Sequence, residues 1–145
     1  TLTEVRSGYS DLLQTSGITL DTNLPKKLEL KNTNRQFFRD ILQNLMDNSI
    51  KAVKDSDTKI IKCTAYAEDD DLVILVSDTG LGIPKEKREW VFGLYNTTTE
   101  DQGGAGIGLY VVKTRVESLK GTVTVEDSEF GELGTTIKIV LPFKK

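Results

Sequence analysis

Apolar residues recur along this chain in two rhythms, one helical and one alternating. Between residues 35 and 54, Phe38, Ile41, Leu42, Leu45 and Ile50 form one stripe, and Asn34 stands where an N-cap would. That spacing predicts a long helix. Ile107 to Leu119 predicts a second, stopped by Gly121. Ile60–Ala67 and Leu72–Ser77 read as two strands, joined by the acidic turn Glu68-Asp69-Asp70-Asp71. Val123 and Val125, then Ile137, Ile139 and Leu141, predict two closing strands, and Ile18/Leu20 and Leu28/Leu30 two early ones. Pro84 sits where a helix accepts proline, so 84–91 reads as a short helix with Trp90 packed at its end. Helical spacing of Leu2, Val5, Tyr9, Leu12 and Leu13 makes 1–16 the remnant of a preceding helix or linker, leaving 17–145 as one domain. Strands and helices mix without strict βαβ alternation. The expected fold is therefore α+β, a two-layer sandwich with a mixed sheet covered on one face by about three helices.

Composition narrows the chemistry. The 145 residues contain 19 Lys plus Arg and 22 Asp plus Glu, for a net charge of −3, which favours neither nucleic acid nor an anionic membrane as partner. No apolar run approaches the roughly 18 residues of a membrane span, and no signal-peptide pattern opens the chain. A single cysteine, Cys63, excludes an internal disulfide and suits the cytoplasm; alternating with Ile61 and Ala65, it reads as a packed strand residue. Histidine is absent, which excludes Ser-His-Asp catalysis, histidine-based zinc sites and phosphorylation of a histidine in this chain. The chain starts without Met in a helical pattern and is read as a piece of a longer protein whose remainder can carry a membrane anchor.

Four clusters carry candidate chemistry. Asn44, Asn48 and Lys51 share one helical face. Amide oxygens there can enter the shell of a Mg²⁺ otherwise bound by phosphates and water, and a lysine can meet a phosphate; a solvated polar face would look the same. Asp78-Thr79-Gly80-Leu81-Gly82-Ile83-Pro84 follows a strand. Its carboxylate can accept from the exocyclic amine of adenine, and its glycines let backbone pass close to a flat base; a glycine turn is the plainer alternative. Phe92-Gly93-Leu94-Tyr95-Asn96-Thr97-Thr98-Thr99 sets two aromatics before a polar run, the pattern of a hinged lid or of a surface loop. Gly103-Gly104-Ala105-Gly106-Ile107-Gly108-Leu109 opens a helix, whose N-terminal N–H groups favour an anion. Leu109 stands where a Walker A loop needs lysine. Three aspartates in the turn at 69–71 lack EF-hand spacing and read as a solvated hairpin.

In this order and spacing the clusters resemble the N, G1, F and G2 boxes of the GHKL superfamily: histidine kinases, gyrase-type ATPases, mismatch-repair ATPases and heat-shock chaperones. The likeness covers about Ile18 to Phe143. It implies the Bergerat fold, with Mg²⁺ and ATP bound between the helical layer and a lid. By resemblance, Asn48 is the metal ligand, Asn44 supports phosphates or metal-bound water, and Lys51 faces the phosphates. Asp78 reads adenine beside Gly80, Gly82 and Ile83, with the Thr135 hydroxyl nearby. Thr97, Thr98, Gly104, Ala105, Gly106, Ile107, Gly108 and Leu109 complete the cofactor site.

Superfamily members that hydrolyse ATP or phosphorylate serine resemble one another in having glutamate where Asn44 stands. Water and serine hydroxyl benefit from a general base, whereas imidazole brings its own lone pair. The resemblance therefore implies a histidine kinase's catalytic domain, transferring the γ-phosphoryl to a histidine on a separate dimerisation and phosphoacceptor domain, with a response regulator downstream. The chain departs from the pattern at Thr99, where the shorter lid has lysine, at Ala105, where threonine is usual, and at Ala52, where an aromatic often stands. No Lys or Arg occurs from Glu89 to Val112; Arg88 and Lys113 flank that stretch and read as surface charge. The alternatives are a nucleotide-binding regulatory scaffold, or a GHKL ATPase or serine kinase.

Overall fold

The computed structural model describes residues 17–23, 32–54, 56–80, 82–93, 108–128, 130 and 134–142. Strand β1 (Thr19–Asn23) is followed by helix α1 (Asn32–Val53), the hairpin β2 (Ile60–Glu68) and β3 (Asp71–Asp78), and two short 3₁₀ turns, Lys85–Lys87 and Trp90–Phe92. Helix α2 (Gly108–Ser118) then leads to β4 (Thr122–Glu126) and β5 (Thr135–Pro142). The strands form one five-stranded sheet in the order β1-β2-β3-β5-β4, with β1 parallel to β2 and every other neighbour antiparallel. The predicted α+β sandwich with a mixed sheet is thus the observed architecture. The strand expected at Leu28–Leu30 and the helical remnant over 1–16 lie outside the described residues.

The core forms where the two rhythms meet. Ile41, Leu42, Leu45, Met46 and Val53 turn one side of α1 onto the sheet, while Gln43, Asp47, Lys51 and Lys54 stay exposed. Ile61, Cys63 and Ala65 from β2, Leu72, Ile74 and Val76 from β3, and Ile137, Ile139 and Leu141 from β5 meet them, together with Val112 and Val116 of α2. Each fully buried Leu or Ile contributes about 1.5–3 kcal/mol, which makes this contact the main support of the fold. In central β3, Val73 on the other face is buried too, so that strand departs from simple alternation. Burial pushes the Cys63 thiol up to about 11, so it is packed and unreactive.

Three local expectations change. The stretch after Pro84 is two 3₁₀ turns and not one helix: Lys85–Lys87 has no buried residue, so nothing pulls it onto the core, and only Val91 and Phe92 are anchored. Trp90 is consequently 42% exposed, with the Lys87 ammonium 5.2 Å from its ring centroid. At the end of α2 the left-handed residue is Lys120 (φ 63°), not the glycine. Lys120 N–H bonds Glu117 O at 2.9 Å and Gly121 N–H bonds Val116 O at 2.9 Å, a Schellman pair. Gly121 is required for another reason: a Cβ there would lie 2.4 Å from the Val140 carbonyl oxygen. Helix α1 begins at Asn32, two residues before the expected cap at Asn34.

The topology also sets helix direction. Helix α1 joins two parallel strands, so it runs antiparallel to β1 and β2. The strand pairings make β4 antiparallel to β2, and α2 folds back on β4 through its Schellman turn. The two helices therefore lie antiparallel, clamped by Arg115 Nη2 and Asp40 Oδ2 at 3.5 Å. From that clamp, Asn48 lies about 12 Å along α1 and the start of α2 at Gly108 about 10 Å back along α2. The N-terminus of α2 thus arrives beside the Asn44–Asn48 turn.

Candidate functional site

Asp78 ends β3 opposite the first residue of β5, Thr135, and only 2% of it is exposed. Its Oδ1 accepts from Gly80 N–H at 2.9 Å. Desolvation pushes the carboxyl up to about 6; the backbone N–H groups of Gly80 and Thr135 and the hydroxyl of Ser49 pull the other way. Ionised, the carboxylate is an acceptor only, which suits a neutral amine as its donor. Thr135, predicted near this position, is buried beside it.

Three close approaches fix the loop after Asp78. A Cβ on Gly80 would lie 2.4 Å from the Ala52 carbonyl oxygen and 2.7 Å from its Cβ, so the loop rests directly on α1. Gly134 has φ 79°, and a Cβ there would lie 1.7 Å from the Asp78 carbonyl oxygen, so only glycine fits before Thr135. Thr79 ties the loop to the start of β2: its hydroxyl donates to Thr58 O at 2.6 Å and accepts from Ile60 N–H at 3.0 Å. Gly82 approaches Gly134 O, and Ile83 packs half-buried against the core.

On α1, Asn44 and Asn48 are half-buried and Lys51 is exposed. Asn44 Nδ2 donates to Asp40 O at 2.8 Å, which turns the amide oxygen to the accepting end. Ser49 is buried next to Asn48 and acts on Asp78, while Ala52, one turn further, is the residue Gly80 touches. The loop after Asp78 therefore rests on α1 one turn beyond Asn48. Gly108 starts α2, and Leu109 packs half-buried on the core. Thr97, Thr98, Gly104, Ala105, Gly106 and Ile107 lie outside the described residues.

The cations flanking the missing lid lysine have other partners. Arg88 Nη2 donates to Asp127 Oδ1 at 2.8 Å, and its guanidinium holds the Asp127 carboxyl below its ordinary range. The Lys113 ammonium sits 5.7 Å from the centroid of buried Phe92. Of the two aromatics expected to pack inward, Phe92 does so, and Tyr95 lies outside the described residues. Ser49 and Gly134 were not predicted as site residues; the first follows Asn48 and the second precedes Thr135, but each acts through a partner distant in sequence.

Residues 33–145 match the family described as histidine kinase-, DNA gyrase B-, and HSP90-like ATPases. The chain belongs to that family. It is 34% identical over 142 residues to the signal transduction histidine-protein kinase ArlS of Staphylococcus haemolyticus, covering 94% of this chain and 30% of that protein. It thus spans less than a third of that relative's length. The catalytic domain of histidine kinase ThkA superposes with a TM-score of 0.82 at 23% identity, over 97% of this chain and 89% of that one. Full-length ShkA in complex with AMPPNP gives a TM-score of 0.84 at 25% identity, over 99% of this chain and 29% of that one.

Proposed function

We propose that this chain is the ATP-binding catalytic unit of a sensor histidine kinase and delivers the γ-phosphoryl to a histidine on another domain. The close approach of Gly80 to Ala52 supports the reading, because it holds the loop after Asp78 against α1 one turn beyond Asn48. Asp78 accepts the adenine amine, and guanine would turn a carbonyl towards it. Asn48, with Asn44 beside it, offers neutral oxygens of the kind Mg²⁺ adds to a shell of phosphate oxygens and water. When bound, the ion would neutralise charge on the phosphates. Lys51 adds a positive charge on the same face, and the α2 N-terminus favours the anionic end of the nucleotide. By resemblance, Thr97, Thr98, Gly104, Ala105, Gly106 and Ile107 are assigned to the cofactor site.

An amide at position 44 cannot take a proton, so the chain positions the nucleotide and leaves nucleophilicity to the acceptor. Imidazole meets that demand unaided. The chain has no histidine, so its acceptor belongs to a dimerisation domain elsewhere, and a response regulator takes the phosphoryl onward. We place this work in the cytoplasm, where ATP is available; among the described residues no helix is long and apolar enough to cross a membrane.

Mixing the chain with its histidine-bearing domain and Mg²⁺-ATP tests the reading. Acid-labile phosphohistidine on that domain is the expected product, and ATP hydrolysis without it would refute the transfer. The engaged states of Arg88 and Lys113 favour one rival, a nucleotide-holding regulatory scaffold. Tight ATP binding without phosphohistidine would select it.

A further inference from the structure

Helices α1 and α2 pack on each other, with Ile41, Val112 and Val116 wholly buried in one apolar cluster. Apolar attraction has no direction, so it holds α2 against α1 but sets only loosely how far α2 slides or rolls on it. A directional link joins the same two helices: Arg115 Nη2 lies 3.5 Å from Asp40 Oδ2. With side chains 38% and 24% exposed, this pair adds little to stability. Its placement matters more. Asp40, Asn44 and Asn48 share one face of α1, and Gly108, Val111 and Arg115 share one face of α2. The helices run antiparallel. From the Asp40–Arg115 link, one turn therefore brings Val111 level with Asn44, and the next brings Gly108 level with Asn48. Asp40 also acts on the amide face directly, because its carbonyl accepts from Asn44 Nδ2 at 2.8 Å.

We propose that Asp40 and Arg115 are positioning residues for the phosphates of the nucleotide: their ion pair sets the register of α2 on α1 and so holds the first turn of α2 opposite Asn44 and Asn48. The inference rests on the ATP reading and adds to it two residues that act through α2. A helix is stiff, so a slide at Arg115 reaches Gly108 undiminished. Binding constellations tolerate about 0.5 Å, and a misplacement of about 1 Å can cost about 100-fold. An exposed pair too weak to support the fold is still strong enough to choose between registers that the apolar contact leaves nearly equal.

The test titrates ATP in Mg²⁺ buffer, by calorimetry, into the unmodified chain, Asp40→Ala, Arg115→Met and the double variant. Adenosine, which has no phosphates, is titrated in parallel by NMR. Each single variant should bind ATP about tenfold more weakly and adenosine within about twofold of the unmodified chain. The double variant should lose no more than either single one, because the two side chains work as one link. Charge alone predicts otherwise: loss of the Asp40 carboxylate would tighten ATP binding and loss of the Arg115 cation would weaken it. Opposite effects of the two variants, additive losses in the double variant, or unchanged ATP affinity would overturn the inference. Equal losses for ATP and adenosine, or a large fall in the thermal stability of the nucleotide-free variants, would make the pair a structural staple and overturn it too. Failure of the unmodified chain to bind ATP would instead remove the reading on which the inference stands.

Discussion

Replacing Asp78 with asparagine should make the empty protein more stable and the nucleotide complex weaker. Asp78 is buried and its carboxyl is pushed from an ordinary 3.8 up to about 6, chiefly by desolvation. Between those two values the folded chain keeps a proton that the unfolded chain releases. Stability therefore falls as pH rises through that window and is flat above about 7, where the cost is about 3 kcal/mol. Asparagine carries no charge to desolvate and can still accept from Gly80 and Thr135. Its extra N–H₂ needs a partner, at about 1 kcal/mol, leaving a net gain of about 2 kcal/mol at pH 8. For a domain of this size that raises Tm by about 4–8 °C. Near pH 4 the gain should vanish, because the acid is then protonated in the fold. The same change replaces a charge-assisted hydrogen bond to adenine by a neutral one and should weaken ATP binding about 10- to 100-fold. Scanning calorimetry at pH 4 and pH 8, with ATP titrations at pH 8, reads both effects. A loss of stability at pH 8, or a gain of equal size at both pH values, would refute the electrostatic account of Asp78.

Four further outcomes follow from particular contacts. Asn48→Ala should abolish the Mg²⁺-dependent part of ATP affinity, measured by titration with and without the metal; an unchanged difference would remove its role as ligand. Gly134→Ala places a methyl 1.7 Å from the Asp78 carbonyl oxygen, so urea unfolding should show a loss of about 2–3 kcal/mol or more, accompanied by weaker ATP binding. Lys120→Gly relieves a left-handed residue in the Schellman turn and should raise stability by about 0.5–1 kcal/mol in the same assay. Cys63, buried with its thiol pushed to about 11, should react with a thiol reagent only after unfolding.

What could be read from the sequence was whatever repeats locally. The stripe on α1, the alternation of β2, β4 and β5 and the apolar run of β3 depend on near neighbours, and these strands appear within a residue or two of their predicted bounds. Asp78 and the Asn44–Asn48 pair stood out because polar groups interrupted those patterns. Ser49 did not, since a serine beside an asparagine on a polar face is unremarkable until β3 brings Asp78 against it. Gly134 looked like an ordinary loop glycine because the atom that demands it lies 56 residues earlier, at Asp78. Trp90 was misplaced for a related reason. A proline start predicts a helix, but charged residues over 85–89 have no face to bury, so the segment broke into 3₁₀ turns and left the indole outside. Gly121 shows the opposite error: its place after a helix suggested a backbone role, whereas its neighbour takes the unusual φ and the glycine makes room for β5.

Binding of Mn²⁺ with a non-hydrolysable ATP analogue, followed by NMR on backbone-labelled protein, tests the proposed nucleotide site most directly. Paramagnetic broadening should centre on the amides of Asn44 to Asn48 and the first turn of α2, while Asp78, Thr79 and Gly80 shift as the base enters. Broadening centred on another surface, or base-loop shifts that saturate independently of the metal-dependent ones, would contradict it.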